Sequence, residues 1–223
     1  MESNGGAIST ISSLTAKDNF FEDFEVGAVY EHARGKTVGE IDNVLITNLV
    51  MNTAQGHFNE HQMAATEIGH RLTFGGVTAS LVIGLAMEDT GENAVAELAL
   101  DKIRFRTPVL HGDTLYAFSE VLDKGEFDAR AAGRPDLAHW RDVGEVRFRH
   151  WGLNQRGETV FEGERRVLIK HRSFKVPATA GGKAARPVAA RKPAPKAAPA
   201  PRPAKVAARA RAAKKTTARK RRR

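Results

Sequence analysis

After Phe174 the chain loses the means to build a core. Residues 175–223 hold 17 Lys and Arg, no Asp or Glu, frequent prolines and no aromatic side chain, as in AARKPAPKAAPAPRPAKVAARARAAKKTTARKRRR. Such a stretch buries too little apolar surface to offset the entropy lost on ordering, so 174–223 reads as a disordered basic tail. The other 18 basic residues and all 26 acidic ones lie in 1–174. The body therefore carries −8 and the tail +17, which together give the net charge of +9. An acidic domain wears a basic appendage, and folding is the business of the first part alone.

At the other end, residues 1–19 are small and polar and read as a flexible lead-in. They lack a basic segment followed by an apolar core, so no secretory signal is expected. The longest strongly apolar run, Ala79–Met87, falls far short of the ~20 residues that cross a bilayer. These features predict a soluble, cytoplasmic protein without membrane association. Cysteine is absent, which removes disulfides and thiolate metal sites. What remains, 20–173, is long enough to bury a sizeable core.

Within that body the hydrophobic period changes once. Ala28–Val38 reads as extended. Thr37 and Glu40 have capping-box spacing, and Val44, Leu45, Leu49 and Val50 recur at helical intervals, predicting a helix over Glu40–Ala54. Asn59–Glu67 reads as a shorter helical stretch ended at Gly69. Gly75-Gly76 then precede Val77, Leu81, Val82 and Leu85 on a helix ending near Thr90-Gly91, apolar on most sides as befits one wrapped by other structure. Beyond it the period becomes two. Ala96–Arg106, Thr114–Asp123, Glu145–Trp151 and Thr159–Lys170 alternate apolar with polar, and Asn154-Gln155-Arg156-Gly157 makes a hairpin turn. Residues 125–144 read as a long loop. Helices followed by consecutive antiparallel strands define an α+β fold.

Candidate chemistry concentrates between Asn52 and Ser80. His57-Phe58-Asn59-Glu60-His61 has the H-x-x-E-H form of a zinc hydrolase, in which His57 and His61 would grip metal and Glu60 would activate water. The segment straddles a helix start, however, and no third ligand recommends itself. A second reading covers more residues. Asn52–Asn59, Met63–Thr66 and Phe74–Ser80, with Arg104–Val109 and Gly112–Thr114 after them, resemble the MaoC-like, (R)-specific enoyl-CoA hydratases. The resemblance spans Phe20–Ser173. It implies a hot-dog fold, an antiparallel sheet wrapped around a long central helix, in a homodimer or larger assembly. It also implies an enoyl-CoA or 3-hydroxyacyl-CoA substrate and no separate cofactor or metal, coenzyme A being part of the substrate.

That family's pattern is D-x-N-P-x-H-x-D, a spacer, then H-G before the central helix. Here Asn52 stands for the first aspartate, Asn59 for the second, and Phe74 for the histidine before Gly75. Among the pattern's ionisable groups only His57 survives. Histidine can take and return a proton near neutrality. Asparagine cannot, though its carbonyl oxygen can hold a water. Either His57 works alone with Asn52 placing the water, or Glu60 or His61 has taken a role, or the site no longer turns over. Amides at the start of the Gly75-led helix would receive the enolate oxygen. The expected site is therefore His57, Asn52 and Gly75 for catalysis, with Gly76, Ser80 and Arg71 toward substrate. Arg71 is there for the second carboxylate of a branched dicarboxylic acyl-CoA of the mesaconyl or itaconyl type.

The tail resembles the Lys/Ala/Pro-rich tails of linker histones and histone-like bacterial proteins. Its uncompensated charge favours non-specific, salt-sensitive contact with nucleic acid over sequence reading. A hot-dog module without catalysis, held on nucleic acid by 175–223, is the alternative function.

Overall fold

A computed structural model describes residues 19–175. The expected lead-in, apart from Asn19, and the basic tail beyond Lys175 lie outside the described residues. Strand β1 (Val29–Thr37) comes first, followed by helix α1 (Glu40–Leu49) and two single turns, α2 (Gln55–Phe58) and α3 (Glu60–Met63). The long helix α4 (Gly75–Thr90) precedes β2 (Ala94–Phe105), β3 (Thr114–Glu126), β4 (Val143–Asn154) and β5 (Thr159–Lys170). The strands form one antiparallel sheet in the order β1-β3-β4-β5-β2. Helix α4 packs across β1, β3, β4 and β5, the helix-in-sheet arrangement of a hot-dog fold. Among the described residues no helix is long and apolar enough to cross a membrane.

The two-residue period explains the sheet. Along β4 residues Val146, Phe148, His150, Gly152 and Asn154 are buried while those between are not. Val82 of α4 packs with Val38, Leu115, Ala117, Val160 and Phe161, forming the core under the helix. Gly152 makes that contact possible, because a Cβ there would stand 2.4 Å from a methyl of Val82. The β4–β5 turn closes as expected, with Gly157 at φ +77° and its N–H donating to Asn154 O at 3.0 Å. The loop expected over 125–144 is shorter, 127–142, because β3 and β4 extend into both of its ends, and it contains a short 3-10 turn at Pro135–Leu137.

A second feature of the interior is polar. Asp89 Oδ2 lies 2.6 Å from His32 Nδ1, His32 Nε2 2.7 Å from Ser119 Oγ, and Ser119 Oγ 2.7 Å from His150 Nδ1. All four residues are buried. Burial, then the charges of Arg165 and His32, hold His150 well below its ordinary pKa of 6.5, so it is neutral.

Two local expectations are corrected. The first helix ends at Leu49, not Ala54, because Met51 adopts φ 58° and turns the chain. Its N–H donates to Asn48 O at 3.3 Å and the Asn52 N–H to Thr47 O at 2.9 Å, a Schellman closure. The start is capped by Asp42, whose carboxylate accepts the Gly39 N–H at 2.8 Å, and not by the Thr37–Glu40 pair. Nor do the apolar residues of α1 face inward. Val44, Leu45, Leu49 and Val50 are exposed, while Asn43 and Thr47 are fully buried. The two inward positions are filled by hydrogen bonds: Asn43 meets backbone groups of His57 and Phe74, and Thr47 Oγ1 donates to Asn43 O. The stretch expected over Asn59–Glu67 shortens to the single turn Glu60–Met63, capped by Asn59, whose Oδ1 accepts the Gln62 N–H at 3.0 Å.

Candidate active site

A cavity of about 270 Å³ lies at the N-terminal end of α4. His57, Leu72, Thr73, Gly75, Thr78 and the Phe105–Val109 segment line most of it, and His57 and Arg106 are its ionisable side chains. Of the expected site residues, His57 and Gly75 meet here.

Local structure fixes the imidazole. Its Nδ1 lies 2.9 Å from Leu72 O. A carbonyl can only accept, so Nδ1 carries the hydrogen and Nε2 of the neutral ring keeps its lone pair. The Leu72 N–H in turn donates to Gly56 O at 2.9 Å. Behind the ring, Asn43 joins the two halves of the site. Its Nδ2 donates to His57 O at 3.1 Å and its Oδ1 accepts the Phe74 N–H at 2.9 Å. Sequence reasoning missed Asn43. A polar residue inside an apolar helical pattern was the available signal.

The α4 start supplies donors. Val77 and Thr78 give their amide hydrogens to Phe74 O, and Phe74 gives its own to Asn43. Among the described residues the amides of Gly75 and Gly76 have no acceptor, and the helix dipole makes them a place for negative charge. A side chain at either glycine would press on an aromatic ring, more severely at Gly76. A Cβ on Gly75 would stand 3.0 Å from the Phe105 ring, and one on Gly76 2.4 Å from the Phe74 ring.

The other expected residues sit elsewhere. Asn52 does not line the cavity, and its Oδ1 accepts the Ala54 N–H at 3.3 Å in the turn after α1. Gly76 faces Phe74. Ser80 is exposed and lines a separate depression with Arg34, Lys36 and Glu88. Arg71 is clamped between Glu60, with Nε to Oε2 at 3.2 Å, and Glu40, with Nη2 to Oε1 at 3.2 Å. Glu60 is engaged as well. The Arg71 N–H, then His70, then the Arg71 side chain hold its carboxyl down at about 2. A carboxylate so stabilised is a poor base for activating water. His61 is exposed, and no three described His, Asp or Glu side chains cluster as metal ligands. The geometry gives the zinc reading no ligand set.

A helix lodged in an antiparallel sheet, with an oriented histidine and the helix start lining one cavity, defines a hot-dog protein. The chain belongs to the mesaconyl-CoA hydratase family, whose model matches residues 10–171. It is 33% identical over 129 residues to the β-methylmalyl-CoA dehydratase of Chloroflexus aurantiacus, covering 58% of this chain and 34% of that one. It is 31% identical over 170 residues to the mesaconyl-CoA hydratase of Haloarcula marismortui, covering 70% and 43%. The chain thus spans about a third to a half of the length of the curated relatives it matches. Among solved structures, a MaoC-domain protein of C. aurantiacus aligns with TM-score 0.61 and 29% identity over 70% of this chain and 46% of that one. A Mycobacterium tuberculosis protein with a double hotdog fold aligns with TM-score 0.60 and 22% identity, covering 81% and 52%. The latter supports the fold alone.

Proposed function

We propose that the chain is an enoyl-CoA hydratase/dehydratase that adds water reversibly across the double bond of a branched dicarboxylic enoyl thioester of the mesaconyl type. The observation that carries this is the Nδ1–H bond from His57 to Leu72 O, which leaves Nε2 basic in a cavity shared with Gly75. Water attacks C3 while Nε2 takes one of its protons. The π electrons move to the thioester oxygen, where the Gly75 and Gly76 amides meet the charge. The imidazolium then returns the proton to C2, so one ring serves as base and acid. Arg106 replaces Arg71 as our candidate for the substrate's second carboxylate because it lines the cavity and Arg71 does not; each is paired with a carboxylate, Arg106 with Glu162, which the substrate would have to displace.

The names of the relatives support the substrate class, and their greater length supports a second hot-dog half beside this one. In our reading that half is another copy of the chain, in a homodimer. Edge strand β2, with Leu100, Ile103 and Phe105 exposed, offers the pairing surface. The test is the loss of enoyl-thioester absorbance with mesaconyl-CoA and crotonyl-CoA, comparing wild type with His57→Ala. A loss of about 10²- to 10⁴-fold is expected for removal of a general base. Turnover preserved in the variant would overturn the assignment.

The tail supports a separate proposal, that residues 175–223 hold the protein on nucleic acid without sequence preference, since the stretch has 17 Lys and Arg and no Asp or Glu. DNA retention should weaken steeply with salt and vanish on deletion of 175–223, leaving hydration intact. Salt-sensitive DNA binding without turnover on any enoyl-CoA would favour the non-catalytic module instead.

A further inference from the structure

Helix α1 turns its apolar side to solvent. Ile41, Val44, Leu45 and Leu49 share the face opposite buried Asn43 and Thr47, and Val50 and Met51 continue it into the following turn. Each of the six is between 41% and 80% exposed. Together they present on the order of 700 Å², above the ~300–600 Å² of the largest apolar patch on a typical monomer. One partner contributes about 800 Å² to a stable interface, so the patch has the size of half an interface. Rotating the helix to bury these side chains is barred, because Asn43 commits the other face to the His57 carbonyl and the Phe74 amide.

The chemistry of the patch narrows what covers it. No Asp, Glu, Lys or Arg occurs from Asn43 through Asn59. The flanking acids are already paired, Glu40 Oε1 at 3.2 Å from Arg71 Nη2 and Asp42 Oδ2 at 2.9 Å from Lys36 Nζ. A partner recognised by charge would find no counter-charge here. A lipid surface would want Lys or Arg on the polar side of the helix, and α1 has none. A second α1 meets the requirement. It brings an equal apolar face without like charges, and a two-fold pairing covers both faces at once.

We propose that α1 is a homotypic contact, its apolar face packing on α1 of a second copy of the chain in a two-fold helix pair. The contact is separate from the β2 edge pairing. One side of α1 then meets the partner while the other, through Asn43, holds the His57 segment. The proposal does not rest on the hydratase reading, because its test reads mass and not turnover.

In the full chain, Leu45→Glu with Leu49→Glu places carboxylates where the helices meet and should weaken association by about 100-fold or more. Both side chains are exposed, so the fold, read by circular dichroism, should be kept. In sedimentation at about 50 µM chain and about 0.5 M salt, which screens the basic tail, the particle mass should halve. It goes from four copies to two if β2 also pairs, and from two to one if it does not. The lack of native cysteine supplies a second measurement. On mild oxidation Leu45→Cys or Leu49→Cys should give a disulfide-linked pair of chains, and Arg130→Cys, at an exposed position off the patch, should not. Unchanged mass in the double variant, a wild type already monomeric, or no linked pair beyond that of Arg130→Cys each overturns the proposal. A monomer that associates only after deletion of 1–18 overturns it too, and would show the chain's own N-terminal segment covering the patch. Should the double variant fail to fold, the cysteine variants decide.

Discussion

Asn43 is the residue through which packing and chemistry are most tightly joined. It is fully buried and ties the His57 carbonyl to the Phe74 amide through bonds of 3.1 and 2.9 Å. Asn43→Ala strips both partners at once. Each buried backbone group left unsatisfied costs about 1–3 kcal/mol. Water can reach the half-buried His57 segment, so about 2–4 kcal/mol in all is expected, out of a typical domain stability of about 5–15 kcal/mol. In urea unfolding the midpoint should fall while the slope stays constant. Activity should fall for a separate reason. The side chain fixes the spacing between the base and the first amides of α4, and a displacement near 1 Å costs about 100-fold in rate. Asn43→Asp divides the two effects. Its carboxylate still accepts from Phe74 but presents negative charge to the His57 carbonyl, so kcat should stay low even where the Phe74 bond is kept. An Asn43→Ala protein that loses stability but retains kcat within threefold would refute the positioning argument; one that loses neither would refute the hydrogen-bond account altogether.

Ser119→Ala should cost about 2–4 kcal/mol, because two buried histidine nitrogens lose their partner, each bond now 2.7 Å long; a urea-measured loss under 1 kcal/mol would count against this. The depressed pKa of His150 makes the folded state bind protons less readily than the unfolded chain. Its contribution is therefore fully present above pH 6.5 and lost as pH falls below it, by up to about 1.4 kcal/mol per pH unit; parallel stability profiles for wild type and His150→Asn would disprove it. Gly76→Ala drives a methyl to 2.4 Å from the Phe74 ring, which itself lies 5.5 Å from the His57 ring. An overpacking cost of about 1–3 kcal/mol should come with reduced kcat, read from a melt and the thioester assay.

The strands were legible because alternation in one segment is decided by which face is buried, a property each strand carries by itself. Strand β5 was read as Thr159–Lys170 and is found there. The central helix was legible for the same reason, its apolar circumference requiring a wrapping sheet. His57 stood out through its spacing from Gly75, and the fold brings both to the lining of one cavity. What could not be read depends on partners remote in the chain. Asn43 answers backbone groups 14 and 31 residues away, and the apolar pattern of α1 pointed to the wrong face as a result. Asn52 resembled a site residue, yet a methionine at positive φ just before it turns that segment into a helix terminus. His150 was partly legible, since it shares the inward alternation of Val146 and Phe148, although its Ser119 and His32 partners lie on other strands.

The buried polar chain and the cavity occupy opposite ends of α4, and this gives the interior polarity a purpose. At the C-terminal end Asp89 bonds His32, and the Arg165 guanidinium donates to Thr90 O at 3.1 Å, supplying the positive charge that a helix C-terminus favours. At the other end the Phe74 amide is held by Asn43 and the Gly75 and Gly76 amides are left free. A helix anchored by buried hydrogen bonds at one end can keep unsatisfied donors at the other without fraying toward them. Changes at Ser119 or His150 should accordingly be felt in stability, with kcat of the folded fraction nearly unchanged, whereas Asn43 should be felt in both. If Ser119→Ala lowered kcat per folded molecule as much as Asn43→Ala does, the two ends of the helix would not be separable and this division of labour would be wrong.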